Sequence, residues 1–100
     1  MLKVTVVKGV PDVVIKLEGS LDMGTGHSLQ RTVEELDLDR IHNLTVSLSG
    51  LDIIDSTGIG QLIGYHRILS RKNGRVLIEN DNREIEEILG LIGVREILGS

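Results

Sequence analysis

The chain has 100 residues, 40% of them hydrophobic and 26% charged, which is the composition of one ordinary globular domain. A formal net charge of −4 and a single aromatic residue, Tyr65, argue against an electrostatic nucleic-acid binder and against a base-stacking surface. Without cysteine there is no disulfide or cysteine zinc site, and no apolar run approaches the roughly 18 residues of a membrane span, so we expect a cytoplasmic protein.

The first two predicted elements are strands joined as a β-hairpin. Residues 3–7 and 13–18 are rich in β-branched side chains and roughly alternate, which is typical of strands. The segment 9–12, Gly-Val-Pro-Asp, has turn chemistry and is far shorter than the dozen or more residues of a parallel crossover. We therefore expect the two strands to pair antiparallel.

Helices and strands alternate after the hairpin, because apolar residues recur first at helical and then at strand spacing. In chain order, the sequence predicts a helix from about Thr25 to Leu38 capped by Thr25, a strand over 44–49, a helix from about Ser56 to Lys72, a strand over 75–79, a helix opened by a capping box of Asp81 and Glu84, and a short closing element over 94–98.

This order of elements predicts the fold class. Parallel crossovers follow an antiparallel hairpin, so the sheet is mixed. Polar residues alternate within the strands, which indicates that helices do not cover both faces equally. We expect a single α/β domain over residues 1–100, with an N-terminal hairpin and amphipathic helices packed mainly on one face.

The most informative segment is the run Asp-Ser-Thr-Gly-Ile-Gly at residues 55–60, where an apolar strand passes into a helix. The first N–H groups of a helix lack internal partners, and the helix dipole is positive there. An exposed Ser56 at this point is a place where a phosphate can be added, removed or read. The alternative is a simple N-cap, because Asp, Ser and Thr all cap helices.

The glycines near the start of this helix lower its stability, so we expect them to have a structural or functional role. Gly58 and Gly60 each destabilise the first turns by roughly 1 kcal/mol relative to Ala. We therefore expect another backbone or a partner to approach closely, and we expect Gly60 and Gly64 to pack the helix on the sheet.

Several chemistries find no support in the sequence. Ile54 occupies the position where a nucleophile elbow needs glycine, and no Gly-Lys-Ser/Thr sequence is present for a P-loop. The three histidines share no ligand spacing, so neither a catalytic residue nor a metal or cofactor is predicted. Asp22 follows the second strand as Asp55 follows the third, and the two lie at one sheet edge if those strands are neighbours. Otherwise Asp22 is a solvated loop residue.

Two motifs carry a resemblance to a known family. The segment Gly19-Ser20-Leu21-Asp22, the run Asp55–Gly60 and the order of elements resemble the STAS domain, and more narrowly the bacterial anti-sigma factor antagonists. The resemblance covers essentially the whole chain. It implies a regulator of transcription that acts by partner switching and is not an enzyme.

The resemblance also implies partners and site residues. The unmodified protein would bind an anti-sigma factor that is also a serine kinase, which frees the sigma factor. The kinase would phosphorylate Ser56, and a serine phosphatase would reverse the reaction; no direct contact with nucleic acid or membrane is implied. The expected partner-binding residues are Asp22, Asp55, Ser56, Thr57, Gly58, Ile59, Gly60 and Ile63.

Other functions remain open at this point. A STAS scaffold subunit of a stress-signalling complex would have the same fold. An aspartyl-phosphate receiver would use Asp55 as its acceptor, and a small nucleotide-binding domain would use the edge formed by Asp22 and Asp55.

Overall fold

The structure, a computed structural model, describes residues 1–98, the side chains at 91, 92, 95 and 96 excepted. The strands are β1 Leu2–Lys8, β2 Asp12–Leu21, β3 Asn43–Ile54 and β4 Arg75–Glu79. The helices are α1 Gly26–Leu36, α2 Ser56–Ser70, α3 Arg83–Ile92 and α4 Val94–Ile97, with a 3-10 turn at Leu38–Arg40. The predicted order is confirmed, and residues 99 and 100 of the expected domain lie outside the described residues.

The four strands form one mixed sheet in the order β1-β2-β3-β4. β1 pairs antiparallel with β2 across the predicted hairpin, and β2, β3 and β4 run parallel. α1 provides the crossover from β2 to β3, and α2 provides the crossover from β3 to β4. The mixed sheet with an antiparallel N-terminal hairpin is therefore confirmed.

The helices cover one face of this sheet. Alternate strand residues on that face are buried, and they pack against the apolar sides of the helices. The opposite face carries polar side chains such as Lys16 and Ser47, neither of which is buried. The buried strand residues of this core include Val13, Ile15, Leu17, Leu44, Val46, Leu48, Val76 and Ile78.

Two predicted helix caps are corrected by the structure. Thr25 is the N-cap residue of α1, but its side chain makes no capping bond, since Oγ1 donates to the Ser20 carbonyl at 2.7 Å instead. α3 is capped by Asn82 and not by Asp81, because Asn82 Oδ1 accepts from the N–H groups of Glu84 and Ile85. The amide of Asn82 also donates to the Leu51 carbonyl at 2.9 Å, an interaction that is not visible in the local sequence.

The third strand is longer than predicted and the helices around it are shorter. β3 extends past Ser49 to Ile54 because its last residues pair with the end of β2, whereas β4 pairs with β3 only as far as Ser47. α1 ends at Leu36 and α2 ends at Ser70, each two residues before the predicted end. The carboxyl end of β3, where α2 begins, therefore has a paired strand only on the β2 side.

Candidate functional site

The carboxyl ends of β2 and β3 bring the two predicted acidic residues to one edge of the sheet. Leu21 of β2 is in register with Ile54 of β3, so Asp22 and Asp55 leave neighbouring parallel strands at the same level. The Asp55 N–H donates to the Leu21 carbonyl at 3.2 Å, which continues the pairing one residue beyond the strands. β2 and β3 are thus neighbours, which was the condition for both carboxylates to lie at one edge of the sheet.

Asp55 joins the beginning of α2 to the loop that follows β2. Its Oδ1 accepts from the Gly58 N–H at 2.9 Å, which is the N-cap bond of α2. Its Oδ2 accepts from the Met23 N–H at 3.3 Å. Each carboxylate oxygen thus receives a backbone N–H group, one from the helix and one from the neighbouring loop.

Asp22 is engaged within its own loop. Its Oδ1 accepts from the Gly24 N–H at 2.9 Å and lies 3.2 Å from Thr25 Oγ1, whose single proton has the Ser20 carbonyl as its shorter acceptor. The Asp22 N–H in turn donates to Thr25 Oγ1 at 3.0 Å. Asp22 is half-buried and shapes the β2–α1 loop, so a freely solvated carboxylate is not what the structure shows.

Ser56 and Thr57 are the first two residues of α2, and both are exposed. Of the first four N–H groups of the helix, those of Asp55 and Gly58 are bonded to Leu21 and to Asp55. No acidic residue lies in the first turn. The N–H groups of Ser56 and Thr57 therefore remain available to solvent or to an anion beside the Ser56 hydroxyl.

Two predicted partner-binding residues lie in the core instead of on the surface. Gly58 is buried, and a Cβ placed on it would lie 2.8 Å from Leu21 Cγ and 2.9 Å from the Leu21 carbonyl oxygen. Ile59 is only 2% exposed. Gly58 holds the start of α2 against Leu21 at the end of β2, and Ile59 belongs to the hydrophobic core, so both residues are removed from the expected contact surface.

The remaining predicted contact residues lie further along α2. Gly60 is exposed and Ile63 is half-buried, so both can still take part in a surface. A Cβ on Gly60 or Gly64 would have no neighbour within 4 Å. The expectation that these two glycines pack the helix on the sheet is therefore wrong, and Gly58 alone of the three makes a close approach.

Two exposed apolar residues at this edge were not singled out from the sequence. Met23 is 81% exposed in the β2–α1 loop, and Ile53 is 55% exposed near the end of β3. The available signal was a large apolar side chain between Asp22 and Gly24, in a segment otherwise made of turn residues. Such a residue has no helix or strand face on which to be buried.

α2 is also tied to α1 one turn beyond Ser56. Gln61 Nε2 donates to the Gly26 carbonyl at 2.9 Å and to Tyr65 Oη at 2.9 Å. Burial raises the pKa of Tyr65 above its ordinary value of 10.0, the bond from Gln61 lowers it, and the charge of Glu34 raises it.

Residues 1–98 do not meet the requirements of a metal site, a ligand pocket or a membrane-spanning helix. No group of three or more His, Asp or Glu side chains is placed to hold a metal ion, and no pocket is present. None of the described helices is long and apolar enough to cross a bilayer.

The sheet topology, the Asp-capped helix and the exposed hydroxyl together define a class of domain, and the sequence match identifies it. The family model described as the STAS domain matches residues 2–99, so the chain belongs to the STAS domain family. Among its relatives, the anti-sigma F factor antagonist of Paenibacillus polymyxa is 23% identical over 86 residues, which are 85% of this chain and 74% of that protein.

Solved structures show the same fold. An anti-sigma factor antagonist from Mycobacterium paratuberculosis superposes with a TM-score of 0.84 at 18% identity, covering 99% of this chain and 84% of that chain. The Bacillus cell fate determinant SpoIIAA in its phosphorylated form gives a TM-score of 0.70 at 21% identity, covering 96% of this chain and 86% of that chain.

Proposed function

We propose that this chain is an anti-sigma factor antagonist whose partner binding is switched by phosphorylation of Ser56. The observation that carries the proposal is the exposed hydroxyl of Ser56 on the first residue of α2 in a STAS domain. Relatives that bear this name span most of the chain, and SpoIIAA, which has the same fold, has been solved in a phosphorylated form.

In this proposal the protein is a cytoplasmic regulator and not an enzyme. Unmodified, it binds an anti-sigma factor that is also a serine kinase, and the sigma factor is released. Phosphorylation of Ser56 ends that binding, and a serine phosphatase restores it. Nucleic acid takes no direct part. Ser56 is the modified residue, and Asp22, Asp55, Thr57, Gly60 and Ile63 are the contact residues that remain after the burial of Gly58 and Ile59.

The local physics supports a switch that leaves the fold unchanged. A phosphate on Ser56 adds about 1.5 to 2 negative charges beside the carboxylate of Asp55. The N–H groups of Ser56 and Thr57 can stabilise it in place, so α2 need not move. A partner surface shaped for a neutral hydroxyl then meets both bulk and repulsion, which is sufficient to weaken binding.

The hydrogen bonds of Asp55 favour serine over aspartate as the phosphate acceptor. Both of its oxygens accept backbone N–H groups, from Gly58 and from Met23. Phosphorylation of one carboxylate oxygen would leave a single carbonyl acceptor, so either the cap of α2 or the bond to the neighbouring loop would be lost. Ser56 can be modified without loss of either bond.

The decisive experiment is phosphorylation by the serine-kinase anti-sigma factors of the source organism, purified and tested one at a time with ATP. Mass spectrometry should place a single phosphate on Ser56, and Ser56→Ala should take up none. Thr57→Val is the matched control and should still be modified at Ser56. Phosphate that persists in Ser56→Ala, or that is released by mild alkali as an acyl phosphate is, would refute the assignment.

A further inference from the structure

We infer that Met23 and Ile53 are affinity-determining apolar contacts for the anti-sigma kinase that engages Ser56. This inference rests on the proposed function and deepens it. It assigns to these two residues a role as apolar anchors beside the phosphorylation site, which neither the motif at 55–60 nor its acidic neighbours supply.

Exposure is the first observation. Met23 leaves 81% of its surface in water and Ile53 leaves 55%, whereas the core residues on either side of them, Leu21 and Ile54, are at most 4% exposed. Met23 immediately follows Asp22, and Ile53 is two residues before Asp55. Both residues therefore lie where the neighbouring strands β2 and β3 end and α2 begins.

The second observation is that the loop carrying Met23 is firmly held. The Met23 N–H donates to Asp55 Oδ2, and the flanking residue Gly24 donates to Asp22 Oδ1 at 2.9 Å. Thr25 closes the loop through its own bonds, with its N–H 3.2 Å from the Asp22 carbonyl oxygen and its hydroxyl 2.7 Å from the Ser20 carbonyl oxygen. A backbone fixed in this way loses little further entropy when a partner binds.

The same bonds connect Met23 to the phosphorylation site. Asp55 accepts one N–H from Met23 and one from Gly58, so a single carboxylate fixes the loop relative to the first turn of α2. Ile53 lies in the same strand that delivers Asp55 and is in register with Ser20 of β2. The backbone that carries both apolar side chains is therefore held in place relative to the start of α2.

The chemistry of the edge specifies the partner surface. Methionine is flexible and polarisable and fills irregular apolar pockets, and aliphatic anchors inside a polar rim are typical of binding hot spots. Here the rim is acidic, because Asp22, Asp52 and Asp55 are all at least partly exposed. The partner that fits is the kinase face bearing an apolar recess bordered by basic side chains.

The test compares polar and apolar replacements with a distant control. Met23→Gln keeps the side-chain length and Ile53→Thr keeps the β-branch, and each should weaken binding of the purified kinase by about tenfold to a hundredfold, the expected effect of losing one buried apolar side chain. Met23→Leu should bind like the wild type. Val7→Thr, which removes an apolar side chain 64% exposed on β1, should have no effect.

Kinetics separate a contact from a structural role. As kinase substrates, Met23→Gln and Ile53→Thr should raise KM for the antagonist and leave kcat unchanged, and their thermal unfolding should match the wild type. If the kinase phosphorylates the wild type on Ser56 and binds both variants as tightly as it binds the wild type, the inference fails while the proposed function stands. If no serine-kinase anti-sigma factor modifies the wild type, the proposed function fails and the inference fails with it.

Discussion

The beginnings of α2 and α3 lie at the same edge of the sheet, yet they differ in their cap residues and in the charge of their first turns. α3 is capped by the neutral amide of Asn82, and its first turn carries Glu84 and Glu86. α2 is capped by Asp55, and its first turn carries no acidic side chain. The helix dipole of α3 is therefore balanced by its own carboxylates, whereas the first turn of α2 keeps free N–H groups beside a hydroxyl.

The third helical position shows the same contrast in packing. In α3 it is Ile85, a large side chain with no exposed surface, and in α2 it is Gly58, whose missing side chain lets the helix lie directly against Leu21. The start of α3 is thus anchored by an apolar side chain. The start of α2 is anchored by close backbone contact and by hydrogen bonds. The side chains of its first two residues, Ser56 and Thr57, are therefore not needed to anchor the helix.

The largest expected effect follows from adding charge at the first position of each helix. Ser56→Asp should lower the affinity for the kinase about a hundredfold, or about 3 kcal/mol, because the carboxylate stands where the partner meets a neutral hydroxyl. Ser56→Ala should bind constitutively. Arg83→Asp makes a larger charge change at the start of α3 and should leave the affinity unchanged, which calorimetric titration would measure. Equal losses in the two aspartate variants would mean that the comparison is unfounded.

A second prediction concerns the two glycines of α2. Gly58→Ala should destabilise the domain by about 1–3 kcal/mol, because its Cβ would collide with the backbone and side chain of Leu21. Gly60→Ala should stabilise it by up to about 1 kcal/mol, because the added methyl meets open space and favours the helix. Urea unfolding of the two variants measures both values, and shifts of the same sign would contradict this view of the helix start.

The caps provide a third and smaller test. Asp55→Ala and Asn82→Ala should each cost about 0.5–2 kcal/mol in unfolding experiments, the usual value of an N-cap. Asp55→Asn should retain most of that stability, because its one carbonyl oxygen can still accept from Gly58. It cannot also accept from Met23, so amide hydrogen exchange at Met23 should accelerate in this variant. Unchanged exchange there would show that Asp55 does not hold the loop.

The smallest effect is the titration of Tyr65, the sole aromatic residue, which can be followed by its absorbance alone. Its pKa should lie above 10.0, and Gln61→Leu should raise the pKa further because it removes a hydrogen bond to the phenolate. The folded state then holds the phenol proton more tightly than the unfolded chain. Stability is therefore unaffected below about pH 10 and falls as the pH rises beyond it. A midpoint in Gln61→Leu below that of the wild type would contradict this.

Most of the fold follows from patterns that a sequence displays locally. A short aliphatic run at 76–78 between charged residues marks β4, and the short turn after β1 requires an antiparallel partner. The errors arise where a distant residue decides. Asn82 rather than Asp81 caps α3 because Leu51, far along the chain, offers its carbonyl to the Asn82 side chain. Thr25 fails to cap α1 because Ser20 takes its hydroxyl.

The candidate site could likewise be predicted only where local sequence patterns determine it. The run at 55–60 marks a strand-to-helix junction, and the exposure of Ser56 agrees with that prediction. Which residues of the run face the core depends on how the helix meets the sheet, and this depends on the contact between Gly58 and Leu21. The local sequence does not contain this information, so Ile59 could be mistaken for a contact residue.

The length of β3 has a consequence for access. β4 ends opposite Ser47, and the Asn82 side chain reaches to Leu51, so the last three residues of β3 continue about 10 Å beyond Leu51 at the usual rise of a strand. α2 thus starts from a strand end that is paired with β2 but has no paired strand on the β4 side. An enzyme with a concave catalytic cleft can approach Ser56 from that side, so the proposed phosphorylation would require no local unfolding.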